Sequence, residues 1–392
     1  MQNKAVVLGA NYYIGLSIIR SLGIEGINVT AIDYSKKDTY GFHSKYLNEK
    51  LIAPHYKEHP DELVDFLISY AKKQDKKPVL FPSADPYVEF IDKYLYKLKK
   101  YYLIPQNEKG LYTTVMNKES LHRLAEKHNI AVPETVRLNE ENYIEKVERI
   151  IKYPCIVKPV DSPSFVRKFK IKLFKVYNRD DLINSIKKAT DENLEVIIQR
   201  IIPGFDDHMY TFDAYVDQYN KVTHWMTCQK LRQYPINFGA SVYTSQKYIP
   251  ELYHIAANFL EAIGFKGFSE IEFKKDAETG KYYLIEINAR TTNLNSLIYK
   301  CGLNMPYIAY RELIGEPLNP KSINYDTNLT FWYAYEDLLA VKDYIKTKQL
   351  TFLKVLSSYF KPKAYAIWDI KDPKPAISFM NSKFKHAKNK FL

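Results

Sequence analysis

The chain has 392 residues and a mass of 46.0 kDa, with 46% hydrophobic and 26% charged residues. That composition buries a sizeable core, excludes disorder as the main state and predicts two or three domains. Lys and Arg number 57 against 45 Asp and Glu, a formal charge of +12, which invites a nucleic-acid or anionic-surface partner. The charge is local, because Lys342 to Leu392 holds twelve lysines and three aspartates. The rest is almost balanced, so nucleic acid is not expected.

Cys155, Cys228 and Cys301 have neither CxxC spacing nor a histidine in metal-ligand register, which fits a reducing compartment. The opening Met1 to Gly15 has no signal-peptide pattern, and no apolar stretch reaches the ~18–20 residues of a membrane span. A cytoplasmic protein without a membrane span is expected.

In chain order, Lys4–Leu8, the periodic stretch Ile14–Leu22 and the run Val29–Ile32 read as strand, helix, strand. Leu63–Ala71 reads as a helix, Val79–Phe81 as a strand, Tyr87–Leu98 as a helix and Tyr102–Ile104 as a strand. The alternation predicts a parallel sheet covered on both faces, a Rossmann-like α/β domain over residues 1–115. From Asn117 a helix carries Leu121, Leu124 and Ala125 on one face, and a second helix runs to Ile151. The strand Cys155–Lys158 stops at Pro159, and strands follow at Lys172–Val176, Glu195–Arg200 and Tyr210–Val216. Gly267–Lys274 and Tyr282–Asn288 alternate around a hairpin turn at 276–280. These segments form an α+β region with antiparallel strands. Residues 321–392 read as a basic, aromatic extension with strands at Phe331–Tyr333 and around Trp368, and a frayed last dozen residues.

The strongest chemical signal is the hairpin Ser269-Glu270-Ile271-Glu272-Phe273 with Leu284-Ile285-Glu286-Ile287-Asn288-Ala289-Arg290. Alternation puts Glu270 and Glu272 on one face of the first strand and Glu286, Asn288 and Arg290 on one face of the second. Carboxylates this close repel unless a hard cation neutralises them, and an all-oxygen set suits Mg²⁺ bound with phosphate. The plainer alternative is a solvated face of cross-strand Glu/Arg pairs. Lys118 opens a helix and Lys158 ends an apolar strand, both candidates for phosphate contact. Asp161 to Lys172 reads as a polar, basic loop able to close over a triphosphate through Ser162, Ser164, Arg167 and Lys168. The backbone of Gln199, Arg200, Ile201 and Ile202 is placed to meet a planar base, with Asp207 or Asp206 for a ribose.

In this order the motifs resemble the ATP-grasp superfamily of carboxylate-amine ligases over roughly residues 1–320. The Leu-Ile-Glu-Ile-Asn-Ala-Arg run at 284–290, Phe-Ser-Glu-Ile-Glu-Phe at 268–273 and Tyr-Pro-Cys-Ile-Val-Lys-Pro at 153–159 carry the resemblance. It implies a Rossmann-like pre-ATP-grasp domain followed by an ATP-grasp fold of two α+β subdomains: a lid at 116–200 and a larger one, with the Mg²⁺ site, at 201–320. It implies ATP and Mg²⁺, or Mn²⁺, as cofactors. Lys118 and Lys158 become phosphate ligands, Gln199 to Ile202 the adenine hinge, Asp207 (or Asp206) the ribose acceptor, and Glu272, Glu286 and Asn288 the metal ligands. Arg290 resembles the arginine that steadies the transferred phosphoryl group. Two departures stand out: the lid segment has no glycine, and Glu270 occupies a place where relatives carry an arginine. Arg232, in a segment resembling the substrate-contacting stretch of amino-acid and D-aspartate ligases, is the candidate to replace it.

The implied substrates are two amino acids, with an acidic one such as aspartate as carboxylate; L-aspartate with L-methionine is one pair, and D-aspartate joined to a peptidoglycan precursor is the near alternative. A homodimer is common in the family. A nicotinamide-dependent oxidoreductase using only the first domain is a further alternative. Gly9-Ala-Asn-Tyr-Tyr-Ile-Gly15 departs from the dinucleotide fingerprint at Asn11 and Ile14, leaving Asp33 as its single supporting mark. Asp85 is a candidate wall residue for the carboxylate substrate.

Overall fold

The computed structural model describes residues 2–160 and 162–388. The first domain is built on Ala5–Leu8 (β1), Val29–Asp33 (β2), Glu49–Ile52 (β3) and Val79–Pro82 (β4), a parallel sheet in the order β3-β2-β1-β4. The central strands are wholly buried, as strands covered on both faces must be. Tyr13–Ile24 (α1), Pro60–Lys72 (α2) and Asp85–Lys93 (α3) supply the cover. Edge strand β3 was not anticipated, because Glu49 and Lys50 hide its apolar signal. The strand expected at Tyr102–Ile104 is reduced to a single bridge, Leu103 beside Val79. Two short helices, Leu95–Leu98 (α4) and Leu111–Met116 (α5), lead out of the domain.

The second unit starts at Lys118–Lys127 (α6), where the Asn117 side chain accepts from the Glu119 and Ser120 N–H groups, an N-cap. Thr135–Arg137 (β5), Tyr143–Lys146 (α7) with a π-turn at Val147–Ile151, Cys155–Pro159 (β6), Ser162–Phe169 (α8), Phe174–Val176 (β7), Arg179–Thr190 (α9) and Val196–Arg200 (β8) follow. Their antiparallel sheet has the order β5-β8-β6-β7. The segment read as a loop is thus helical from Ser162. Pro163 is its second residue, where a proline starts a helix rather than breaking one. Phe165 of α8 is buried against Phe169 and Phe174.

The third unit carries Met209–Val216 (β9), Val222–Tyr234 (β10), Ala240–Gln246 (β11), Gly267–Lys275 (β12) and Tyr282–Asn288 (β13), with helices Pro250–Ala262 (α10), Asn295–Lys300 (α11) and Met305–Leu313 (α12). Residues from 321 complete this sheet rather than extending beyond it. Lys321–Ser322 (β14) pairs with β10, Thr330–Trp332 (β15) pairs with β11, and Lys363–Tyr365 (β16) closes the edge. Between and after them lie Ala334–Lys346 (α13), Phe352–Ser358 (α14) and Lys374–Lys388 (α15). Trp368 falls outside the strands. The expected frayed end is helical through Lys388; residues 389–392 lie outside the described residues.

The carboxy-terminal segment is also tied to the first domain. Asp372 is buried and binds the Arg20 guanidinium at 2.9 Å, the Ser44 hydroxyl at 2.7 Å and the Lys45 N–H at 2.9 Å. Phe379 of α15 packs edge-on against Tyr40. Among the described residues no helix is long and apolar enough to cross a membrane.

Candidate active site

A cavity of about 610 Å³ opens between the four-stranded and eight-stranded sheets, with Tyr12, Tyr13 and Asp85 of the first domain on its wall. Its floor is the β12–β13 hairpin. The register places Glu270 opposite Asn288 and Glu272 opposite Glu286, so period-2 alternation brings all four to one patch. Glu286, Asn288, Glu270, Glu272 and Arg290 all line the cavity.

The carboxylates are neutralised by lysines. Lys230 Nζ lies 2.5 Å from Glu272, and Lys118 Nζ lies 3.7 Å from Glu286. Burial, with Glu286 and Glu270 adding to it against the pull of Lys230, pushes the Glu272 carboxyl up to about 7. Burial acts the same way on Glu286, but Lys118, Lys230, Lys158 and Lys172 outweigh it and hold that carboxyl below the usual range. The Asn288 amide donates to Glu270 at 2.9 Å, which turns its Oδ1 the other way, 3.4 Å from an Arg290 nitrogen. Glu270 also accepts from the Thr292 hydroxyl at 2.8 Å. Its place in the structure is therefore behind Asn288, fixing which way that amide faces.

Two carboxylates and an outward amide oxygen fit a hard divalent cation. Among the described residues no group of three or more His, Cys, Asp or Glu side chains is arranged to cage a metal. This is the donor count expected where nucleotide phosphates complete a Mg²⁺ shell.

Lys158 ends β6 inside the cavity, its ammonium 3.2 Å from the Gln199 Oε1, which is held in turn by a 3.0 Å bond from its amide nitrogen to Thr135. Burial and the nearby Lys118 charge bring it down to about 7, despite Glu286. A lysine so poised regains its proton when phosphate arrives. Beside it Pro133, Ile156, Ile201, Ile202, Met209 and Ile285 form an apolar slot. The Arg200 N–H is used by the Glu134 carbonyl. Ile201 and Ile202, just past the end of β8, border this slot, where a flat heterocycle would meet them. The Arg200 side chain is occupied by Glu134 and Asp276.

Arg290 projects to the other end, where Asp85 accepts from its Nε at 2.6 Å. This joins the first domain to the hairpin across the cavity.

Five expected contacts, Arg232, Ser164, Arg167, Lys168 and Asp207, are absent from the wall. Arg232 is buried on the opposite face: its Nε and Nη2 bind Asp337 at 2.6 and 2.8 Å, Nη1 binds Ser358 at 3.0 Å, and the guanidinium stacks over Tyr243. The cause is a β-bulge, because the β10–β11 register slips between Lys230 and Arg232. An inserted residue reverses the side to which the next side chain points. Ser164 is engaged by Arg167, and Lys168 turns to Glu192; the Ser162 side chain and Asp161 lie outside the described residues. Asp207 pairs with His208, whereas Asp206 lines the cavity and accepts from Gln233, the Asn237 N–H and Tyr344.

Sequence reasoning missed Lys230, Lys172 and Lys274. Lys172 reaches across the cavity to the Phe238 carbonyl at 2.9 Å, joining the small sheet to the 234–240 loop. Lys274 is brought down to about 8 by burial, against the pull of Asp206 and Asp207. For Lys274 the signal was present, since it follows Glu270 and Glu272 on the same alternating face.

The cavity thus lies between antiparallel sheets, with a Rossmann-like domain at one end and a lysine-neutralised carboxylate hairpin as its floor. The family model described as D-ala D-ala ligase C-terminus matches residues 126–293. The chain is 27% identical over 277 residues to a D-aspartate ligase of Enterococcus faecium, covering 67% of this chain and 65% of that protein. It is 24% identical to a D-alanine–D-alanine ligase of Pelagibacter ubique, covering 51% of this chain and 66% of that protein. In both cases slightly less than two thirds of the relative's length is spanned. The fold matches an L-amino acid ligase from Bacillus licheniformis with a TM-score of 0.60 at 17% identity, over 81% of this chain and 76% of that one. It also matches the biotin carboxylase domain of a Hydrogenobacter thermophilus 2-oxoglutarate carboxylase, solved with MgADP, with a TM-score of 0.65 at 16% identity, over 84% and 74%. The chain is thus similar in sequence to carboxylate-amine ligases over its middle part and shares the fold of the ATP-grasp structures.

Proposed function

We propose that the protein is an ATP-dependent carboxylate-amine ligase that joins an amino acid, through its carboxylate, to an amine. The observation that carries this reading is the convergence of Lys118, Lys158, Glu272, Glu286, Asn288 and Arg290 on one cavity that also holds an apolar slot. Adenine enters the slot against the Ile201–Ile202 backbone. Lys118 and Lys158 hold the phosphates, and Asp206, rather than Asp207, faces the ribose side.

Glu272, Glu286 and Asn288 would hold Mg²⁺, or Mn²⁺ in its place, and the ion supplies charge neutralisation between the phosphates. Arg290 orients the carboxylate and steadies the phosphoryl group in flight. The γ-phosphorus–oxygen bond breaks as a carboxylate oxygen takes the phosphoryl group, giving an acyl phosphate and ADP. The amine then forms the C–N bond and phosphate leaves with the electron pair. Lys172, spanning to Phe238, keeps water from the acyl phosphate.

Arg232 and the lid's Arg167 and Lys168 give no support for an acidic substrate, because they face elsewhere. Support for aspartate rests on Arg290 and on similarity to the D-aspartate ligase. The amine partner is a second amino acid, methionine among those to try first, or an amine on a peptidoglycan precursor. The three free, buried cysteines fit a cytoplasmic site of action.

A nicotinamide reading finds little room. Asp33 spends its carboxylate on the Ala10 and Asn11 N–H groups at 2.7 and 3.1 Å, and Ser83 and Tyr87 crowd Gly9.

The test is phosphate release from ATP across pairs of L- and D-amino acids, aspartate included, with mass spectrometry of products. An amide formed with ADP and phosphate is expected. Absence of amine-dependent phosphate release with every pair and with a peptidoglycan precursor would refute the proposal.

A further inference from the structure

Away from the cavity, the solvent side of α13 and α14 has no role in the fold. α14 turns Val355 and Ser358 inward and leaves Phe352, Leu353 and Leu356 outside, 67%, 76% and 43% exposed, with Phe360 just beyond at 82%. Phe352, Leu356 and Phe360 recur at every fourth position and form one stripe. On α13, Asp337, Ala340 and Tyr344 face the core, while Leu338 and Ile345, seven residues apart, face solvent. The helices are neighbours, because Asp337 of one and Ser358 of the other bind the same buried Arg232 guanidinium. Their apolar outer faces turn away from that shared point.

The charge on this surface is predominantly positive. Lys342, Lys346, Lys348, Lys354 and Lys361 are all exposed. From Lys342 to Lys388 the acids are Asp343 and Asp369, both partly buried, and Asp372, buried on Arg20. Large apolar side chains among lysines that outnumber the acids suit a surface that is apolar inside and anionic at its rim. A second copy in a two-fold contact would set lysines against lysines. Nucleic acid would satisfy the lysines and leave Leu338, Leu353 and Leu356 without a partner.

We infer that the α13–α14 face docks the protein peripherally on an anionic phospholipid bilayer, the lysines at the headgroups and Phe352, Leu353, Leu356 and Phe360 in the interfacial layer. Gln349, between the two helices, lines the active-site cavity, so docking brings the rim of the site close to the lipid.

The experiment is co-sedimentation of the full chain with vesicles of phosphatidylcholine alone or mixed with phosphatidylglycerol, at low and high salt. Binding to the mixed vesicles, weakened by salt, and little binding to phosphatidylcholine are expected. Phe352→Ser with Leu353→Ser and Phe360→Ser lowers the partition coefficient at least about tenfold, with thermal unfolding and ATP binding unchanged. Lys354→Gln with Lys361→Gln lowers it about thirtyfold, at about 1 kcal/mol per lysine. Equal sedimentation with both vesicles, none with either, or wild-type binding by the triple serine variant overturns the inference. So does a dimer in light scattering that the triple variant converts to monomer, because the face would then be filled by a second copy.

Discussion

Replacing Arg232 with methionine separates a structural from a catalytic role. In the structure the guanidinium makes two bonds to Asp337 and one to Ser358, and both charged groups are buried. Removing one partner leaves Asp337 with the Trp332 indole N–H at 2.8 Å and the Tyr359 hydroxyl at 3.4 Å, but without a counter-charge. Breaking a buried pair in this way costs about 3–5 kcal/mol. With an unfolding entropy of about 2.1 cal/mol/K per residue over 392 residues, 4 kcal/mol lowers Tm by about 5 °C, and by more if the large sheet unfolds as a smaller unit. Differential scanning fluorimetry gives the shift, and phosphate release per folded molecule gives activity. The double variant Arg232→Met with Asp337→Leu should recover most of the stability, because no charge is left buried alone. A fall in kcat of about a hundredfold or more with Tm unchanged would place Arg232 at the reacting atoms and refute the reasoning.

Three further outcomes follow from the site. Glu286→Gln should reduce phosphate release by about 10²–10³-fold, and an unchanged rate at saturating Mg²⁺ would remove Glu286 from the metal site. Burial and Lys118 bring Lys158 down to about 7, so it is mostly neutral at about pH 8 and charged at about pH 6. ATP binding should therefore take up close to one proton at the higher pH and little at the lower, read from the dependence of calorimetric heat on buffer. The same uptake in Lys158→Met would exclude that lysine as its source. Gly9 has φ +88°, and a Cβ there would lie 2.4 Å from the Ser83 hydroxyl and 2.7 Å from the Tyr87 ring. Gly9→Ala should cost about 1–3 kcal/mol and, by shifting Tyr12 and Tyr13 on the cavity wall, raise KM; unchanged stability would show the turn adapts freely.

Hairpins, buried strands and the carboxylate patch were legible in the sequence, because period-2 alternation fixes which side chains share a face once a strand is recognised. Glu272 opposite Glu286 follows from the pattern around 268–273 and 284–290 and a short turn between them. The start of a helix at Lys118 was legible too, and the structure adds its Asn117 cap. Helix α8 was hidden because serines and a proline opening a helix have the composition of a loop. The long strand β10 was not recognised as one because polar residues dominate its inner half.

The sequence by itself determined the order of α/β and antiparallel units and the residue types on the hairpin, since both rest on local periodicity. Tertiary structure alone decided which basic residues serve the cavity. One bulge in β10 sends Lys230 to Glu272 and Arg232 to Asp337, 105 residues on. It also decided the place of the basic carboxy-terminal segment. Strand pairing of β15 and β16 and the burial of Asp372 on Arg20 tie it into the fold, and leave most of its lysines and a row of apolar side chains facing outward.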